Sequence, residues 1–219
     1  MMCGIDEAGR GPVIGPMVVA GVWISEEDEK KLASFGIRDS KKLTPNRREE
    51  IASYIKSNFV HEIVVIKAED IDDLRKTMTI NELEAYVFAT VANKNFADVY
   101  FIDSPGNDSE EFGEMIKKSL KYSSRIVCEH KADENYVVVS AASIIAKVER
   151  DRQIKKISEE LEKIINKPLG SGYPSDEKTI EFIREWLEKF NELPPHTRKS
   201  WKTLERIKQK KVEDIPRNI

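Results

Sequence analysis

Histidine and cysteine are scarce in this sequence, and their scarcity removes several kinds of chemistry at once. Three histidines, His61, His130 and His196, and two cysteines, Cys3 and Cys128, are scattered over 219 residues. Without a Cys/His cluster there is no zinc site to read, and two thiols do not make a disulfide framework. They read instead as buried thiols in a reducing compartment, which points to the cytoplasm. Long apolar runs are missing too. None approaches the roughly 20 residues that cross a bilayer, and the N-terminus has no secretory pattern, so no membrane partner is expected. Nor is there an excess of one charge: 36 basic against 39 acidic residues leave a net charge of −3, so bulk electrostatics do not announce a polyanion binder. Internal repeats and low-complexity segments are also absent.

The distribution of charge says more than its sum. Basic residues gather in the segment 38–48, which holds Lys41, Lys42 and Arg47, and again in 198–211. Acidic residues gather around Glu26–Glu29, Glu69–Asp73, Asp108–Glu114 and Glu159–Glu162. Basic segments are more often solvated surface than phosphate sites.

Short β-branched or aromatic runs predict five strands, at Met2–Asp6, Val13–Ile24, Ile63–Ile66, Val99–Ile102 and Ile126–Cys128. Helices are predicted between and after them. One starts at Pro45 and carries Ile51, Ile55 and Phe59. Another is announced by the capping box Thr79-Ile80-Asn81-Glu82, and a third is capped by Ser109. The longest should run from about Ser140 to Ile165, with Ile144, Val148, Ile157, Leu161 and Ile164 on its buried face. Beyond Gly170-Ser171-Gly172-Tyr173-Pro174, two further helices near 176–190 and 199–211 follow. Residues 1–170 read as an α/β core and 171–219 as a helical appendage.

The chemistry concentrates at predicted strand ends. Asp6 and Glu7 close the first strand, Asp103 follows the fourth and Asp133 the fifth. Any one such pair is most often a surface charge. In an α/β sheet, however, the ends of parallel strands share an edge where ligands bind. Three or four carboxylates meeting there repel one another unless a cation joins them, and oxygen-only donors suit Mg²⁺ or Mn²⁺. Gly9, Gly11 and Gly15 have the wrong spacing for a dinucleotide fingerprint, and Pro12 and Pro16 forbid the helix that should follow it. Two readings stay open for this stretch: a plain tight turn, or a backbone turn that presents N–H groups to a phosphate or ribose.

Ile5-Asp6-Glu7-Ala8-Gly9-Arg10-Gly11-Pro12, Asp39-Ser40-Lys41-Lys42-Leu43, His130-Lys131-Ala132-Asp133, the run from Ser140 to Lys147, Arg150-Asp151, the run from Gly170 to Asp176, and Arg198-Lys199-Ser200-Trp201-Lys202 stand in one order along nearly the whole chain. Together they resemble type 2 ribonuclease H of the archaeal kind. The resemblance implies a ribonuclease H-like α/β fold: a mixed five-stranded sheet flanked by helices, with a helical C-terminal extension. It also implies an endonuclease acting on the RNA strand of RNA–DNA hybrids, or at ribonucleotides embedded in duplex DNA. Cleavage would use two metal ions and leave 3′-hydroxyl and 5′-phosphate ends.

By the same resemblance Asp6, Glu7, Asp103 and Asp133 form the catalytic metal site. Gly9, Arg10 and Gly11 recognise the ribonucleotide through backbone groups, and Tyr173 packs at the RNA-to-DNA junction. Lys41, Arg47 and Lys147 are candidate phosphate contacts. Ser143, Lys147 and Arg150 fall on one helical face. His130, His196 and Trp201 are assigned structural roles. Residues 211–219 lack the paired aromatics of a clamp-binding peptide, so a sliding-clamp partner is not expected, and a monomer is the default. A DNA-cutting nuclease of the same fold is the main rival, against which Gly9-Arg10-Gly11 and Tyr173 argue. A catalytically silent binding module is the other, against which the four carboxylates argue.

Overall fold

The computed structural model describes residues 1–37, 43–106, 108–205 and 207. Five strands form one sheet in the order β3-β2-β1-β4-β5. They are β1 (Met2–Ala8), β2 (Met17–Ile24), β3 (Val60–Ile66), β4 (Val99–Ser104) and β5 (Arg125–His130). β1 pairs antiparallel with β2 and parallel with β4, and β4 pairs parallel with β5. The sheet is therefore mixed, and the C-terminal ends of β1, β4 and β5 lie along one edge.

The helices are α1 (Glu26–Ser34), α2 (Pro45–Asn58), α3 (Ala68–Leu74), α4 (Ile80–Ala92), α5 (Ser109–Lys117), α6 (Ala132–Asn135), α7 (Val137–Ile165) and α8 (Glu177–Phe190). Local chemistry explains where several of them begin. Thr44 caps α2 ahead of Pro45, whose missing N–H costs nothing in a first turn. Thr79 and Glu82 close the reciprocal capping box of α4.

Some boundaries differ from those the sequence predicts. Val13–Pro16 is not strand but an irregular segment, joined to Thr197 by an isolated bridge at Ile14. Its apolar residues are buried in a loop, which periodicity cannot tell from a strand. The cap of α5 is Asp108 rather than Ser109. On α7, Ile164 is 44% exposed and Ile165 takes the buried position. The acidic clusters at 26–29 and 69–70 are first turns of α1 and α3, where negative charge complements the helix dipole.

The chain divides into two compact units: Met1–Ala8, Met17–Val65 and Met78–Arg150 form the first, and Gly9–Pro16, Ile66–Thr77 and Asp151–Ile219 the second. This differs from a single division at residue 170. Segments far apart in sequence join the second unit because their backbones pair: Val13 and Ile14 N–H donate to the Gly172 carbonyl, and Gly15 N–H to that of His196. The first unit is built on Val18, Ala20, Val22, Ile51, Ile55 and the apolar face of α7 from Val137 to Val148. Val13, Ile14, Leu161, Phe182, Trp186 and Leu204 carry the core of the second. No helix among the described residues is long and apolar enough to cross a membrane.

Candidate active site

Strand β1 runs through the middle of the sheet and carries Asp6 and Glu7 next to its C-terminal residue, Ala8. Ile5 stands level with Ile102 on the parallel neighbour β4, so Asp6 and Asp103 occupy the next level of the two strands. Successive side chains alternate between faces, and equal levels on adjacent strands share one. Asp6 and Asp103 accordingly share a face, and Glu7, at the next position, joins them: the three bring one carboxylate oxygen each within 4.8 Å of one another.

Asp133 stands outside that triplet, in the short helix α6. It is buried, and close enough for its charge to act on both Asp6 and Asp103. Its position depends on an unusual backbone. Lys131 adopts a left-handed φ of 60° between β5 and α6. The following Ala132 N–H then donates to Asp103 Oδ1 at 2.7 Å. The Ser140 hydroxyl donates to the Asp133 carbonyl, tying α6 to the start of α7.

Helix α7 reaches Asp6 because Gly4 has no side chain. A Cβ there would lie 2.3 Å from the carbonyl carbon and oxygen of Val138, so the helix backbone rests directly on β1. Four and eight residues beyond Val139, on the same helical face, come Ser143 and Lys147. The Ser143 hydroxyl hydrogen-bonds Asp6, and Lys147 Nζ donates to Ser143 Oγ at 2.7 Å.

These surroundings set the protonation of the cluster. Asp6 is only 4% exposed. Burial pushes its pKa up to about 6; the Ser143 bond, the charge of Lys147 and the Glu7 N–H pull it down, while Asp133 adds to the rise. Asp103 is raised to about 7, first by burial and then by the charge of Asp6. Carboxylates so placed resist carrying their full negative charge together. A divalent cation removes that resistance, and a set of carboxylate oxygens suits a hard one. The donor set therefore fits the metal that the sequence implied.

The second unit contains Gly9, Arg10, Gly11 and Tyr173. Gly9 and Gly15 have φ values of 82° and 99°, in the left-handed region that glycine tolerates. Gly11 is exposed, and a Cβ there would meet only the edge of the Tyr173 ring, at 3.7 Å. Loop and tyrosine thus stand face to face within this unit. Arg47 sits on α2, paired at the surface with Glu50 at 2.9 Å. Lys41 and Lys42 lie outside the described residues.

The role of one residue escapes the sequence. Arg198, placed there in a basic tail and in the motif from Arg198 to Lys202 with no role of its own, is fully buried, and its guanidinium donates to the carbonyls of Gly9, Arg10 and Gly15. Composition cannot separate a buried arginine from a solvated one. Trp201, three residues on, lies 4.9 Å from the guanidinium and is the sole nearby hint. His196 packs between Glu69 and Glu160 within the second unit, in keeping with its structural reading.

Carboxylates at the C-terminal ends of β1 and β4, on a mixed five-stranded sheet, define a metal-dependent nuclease of the ribonuclease H fold. The ribonuclease HII family model matches residues 3–204. A ribonuclease HII of Methanothrix thermoacetophila is 44% identical over 97% of this chain and 99% of its own. Among solved structures, the ribonuclease H2 of Pyrococcus horikoshii superposes with a TM-score of 0.88 at 38% identity, covering 97% of this chain and 99% of that one. The ribonuclease HII of Archaeoglobus fulgidus, solved in complex with PCNA, gives 0.87 at 40% identity over 98% and 100%. The chain belongs to the ribonuclease HII family, and its activity is metal-dependent endoribonucleolytic cleavage of RNA in RNA–DNA duplexes.

Proposed function

We propose that Asp6, Glu7, Asp103 and Asp133 are the catalytic residues, that they hold Mg²⁺ or Mn²⁺, and that Gly9, Arg10, Gly11 and Tyr173 select the ribonucleotide at which the strand is cut. The observation that carries the reading is the cluster of three carboxylates at adjoining strand ends, with Asp133 acting electrostatically on two of them. Held by these carboxylates, such ions would supply Lewis acidity and a water made nucleophilic near neutral pH, for cleavage that leaves 3′-hydroxyl and 5′-phosphate ends.

The chain's own groups do the rest. Asp103 and Asp6, level on parallel strands, hold two oxygens at a fixed separation that a flexible pair would not keep. The Ala132 N–H fixes one rotamer of Asp103, and the Ser143 hydroxyl does the same for Asp6. Lys147, anchored by Ser143, places a positive charge beside the carboxylates, where it also serves an incoming phosphate. In the second unit, the Gly9–Gly11 backbone approaches a ribose closely because two of its three residues lack side chains. The Tyr173 ring offers a stacking face and its hydroxyl a donor or acceptor. Only the 2′-hydroxyl separates RNA from DNA on the sugar, so these groups must read it or its immediate neighbours. Lys41 and Arg47 remain as phosphate contacts along the duplex.

Substrates are RNA–DNA hybrid and duplex DNA containing ribonucleotides, acted on by a monomer in the cytoplasm.

Cleavage of three end-labelled duplexes tests the proposal: one embedded ribonucleotide, a full hybrid and DNA alone, each with Mg²⁺, Mn²⁺ or EDTA. Cutting of the first two with either ion, none of the third, and none in EDTA is the expected pattern. Cutting of the all-DNA duplex would overturn the selectivity assignment.

A further inference from the structure

Arg198 has the largest side chain among those fully buried in the described residues, and it carries a charge. Burying a guanidinium is costly unless its donors are used. Nε donates to the Gly15 carbonyl at 2.9 Å, Nη1 to that of Arg10 at 2.8 Å and Nη2 to that of Gly9 at 2.6 Å. Two of the three acceptors, Gly9 and Arg10, belong to the loop that the proposed function assigns to ribonucleotide recognition, and Gly15 lies four residues beyond it. The indole of Trp201 lies 4.9 Å from the guanidinium carbon.

The peptide planes give this arrangement a direction. The bonds of the loop are trans. In a trans peptide the carbonyl and the N–H of the next residue point opposite ways. Drawing the Gly9 and Arg10 carbonyls toward Arg198 therefore turns the N–H groups of Arg10 and Gly11 away from it. A positive charge behind those two planes also polarises them and strengthens both donors. Two consecutive N–H groups aimed the same way suit an oxygen acceptor such as a phosphate or a ribose hydroxyl.

We propose that Arg198 is a positioning residue for substrate selection: from behind the Gly9–Gly11 loop it sets the direction and the strength of the backbone donors that meet the ribonucleotide. The inference rests on the reading that this loop recognises the ribonucleotide. The segment that follows the loop is fixed without the side chain. Val13 and Ile14 N–H bond to Gly172, Gly15 N–H to His196, and Arg198 N–H to Val13, all through main-chain atoms. The guanidinium holds the half of the loop that these bonds leave out. A lysine cannot replace it, because one ammonium cannot span three carbonyls in a planar fork.

The test compares Arg198→Lys with wild type on a duplex carrying one embedded ribonucleotide and on a long hybrid. Melting temperature and a separate Mg²⁺ titration are measured alongside. The expected result is that kcat/KM falls about tenfold further on the embedded ribonucleotide than on the long hybrid. That excess should appear mainly in KM, with the cation titration unmoved. In Arg198→Ala, millimolar guanidinium should restore part of the embedded-site activity, and equal potassium chloride should not.

Parallel losses on both substrates that follow a fallen melting temperature would make Arg198 structural and overturn the proposal. Gly11→Ala tests the loop apart from Arg198. If it removes the preference while Arg198→Lys keeps it, the role of Arg198 fails alone. If both variants keep the preference, the loop does not read the ribonucleotide, and the underlying assignment fails with it.

Discussion

The carboxylate of Asp103 serves structure and charge at once. Its Oδ1 accepts the Ala132 N–H, while burial and Asp6 raise its pKa to about 7. Asparagine keeps the acceptor and removes the charge. Asp103→Asn should therefore fold, melt no lower than wild type in EDTA, and cut its substrates several orders of magnitude more slowly. A fluorescence melt and a single-turnover assay check both halves, and near-normal turnover in saturating Mg²⁺ would remove Asp103 from the site. Tyr173 makes a contrasting case, since its ring faces exposed Gly11 within the second unit. Tyr173→Ala should retain cation binding and lose far more activity on an embedded ribonucleotide than on a long hybrid. Equal losses with a lowered melting temperature would make it a structural tyrosine.

Among elements, the contact between β1 and α7 governs the most. Gly4→Ala would drive a methyl group into the Val138 main chain, and backbone cannot move aside as a side-chain tip can. Overpacking of this kind costs typically about 1–3 kcal/mol, and more where backbone must shift. The variant should lose stability in a denaturant titration by at least that amount. Any folded fraction should bind Mg²⁺ poorly, since Ser143 and Lys147 would be displaced from Asp6. A melting curve indistinguishable from wild type would show that α7 is free to move.

This element scale also shows what the sequence reveals and what it conceals. The carboxylates and their strands were legible because short apolar runs end abruptly in Asp6, Glu7 and Asp103. Thr79 and Glu82 marked α4 through local chemistry alone. The buried loop at Val13–Pro16 read as strand because its apolar residues are satisfied by contacts more than 150 residues away, which no local window contains. The burial of Arg198 was hidden for the same reason, although its motif was visible.

For the molecule as a whole, the raised carboxylates tie stability to pH. Asp6 and Asp103 titrate near 6 and 7 in the folded protein, against 3.8 for an ordinary aspartate. Between pH about 4 and about 7, the metal-free folded chain holds protons at these sites that the unfolded chain has released. Stability from the pair is thus greatest below pH 4, falls as pH rises through that window, and levels off above it. Melting wild type and Asp103→Asn in EDTA across pH 4–8 isolates the effect: the advantage of the variant should grow with pH and then flatten. Saturating Mg²⁺ should reverse the difference, because the cation favours the ionised wild-type cluster and releases protons as it binds. An advantage that stays constant across the range would contradict the assigned shifts.

The long reach of Arg198 bears on synthesis. Its bonds to Gly9 and Arg10 join residues 189 and 188 positions apart. Asp6, Asp103, Asp133 and Lys147 have all been translated before residue 150, so a nascent chain acquires the groups for cutting well before the arginine that fixes its reading loop. Contacts so distant in sequence also form late in folding, since closing a longer loop costs more entropy. Discrimination is therefore the last property the enzyme acquires. In a refolding experiment, cation binding should return before the preference for an embedded ribonucleotide.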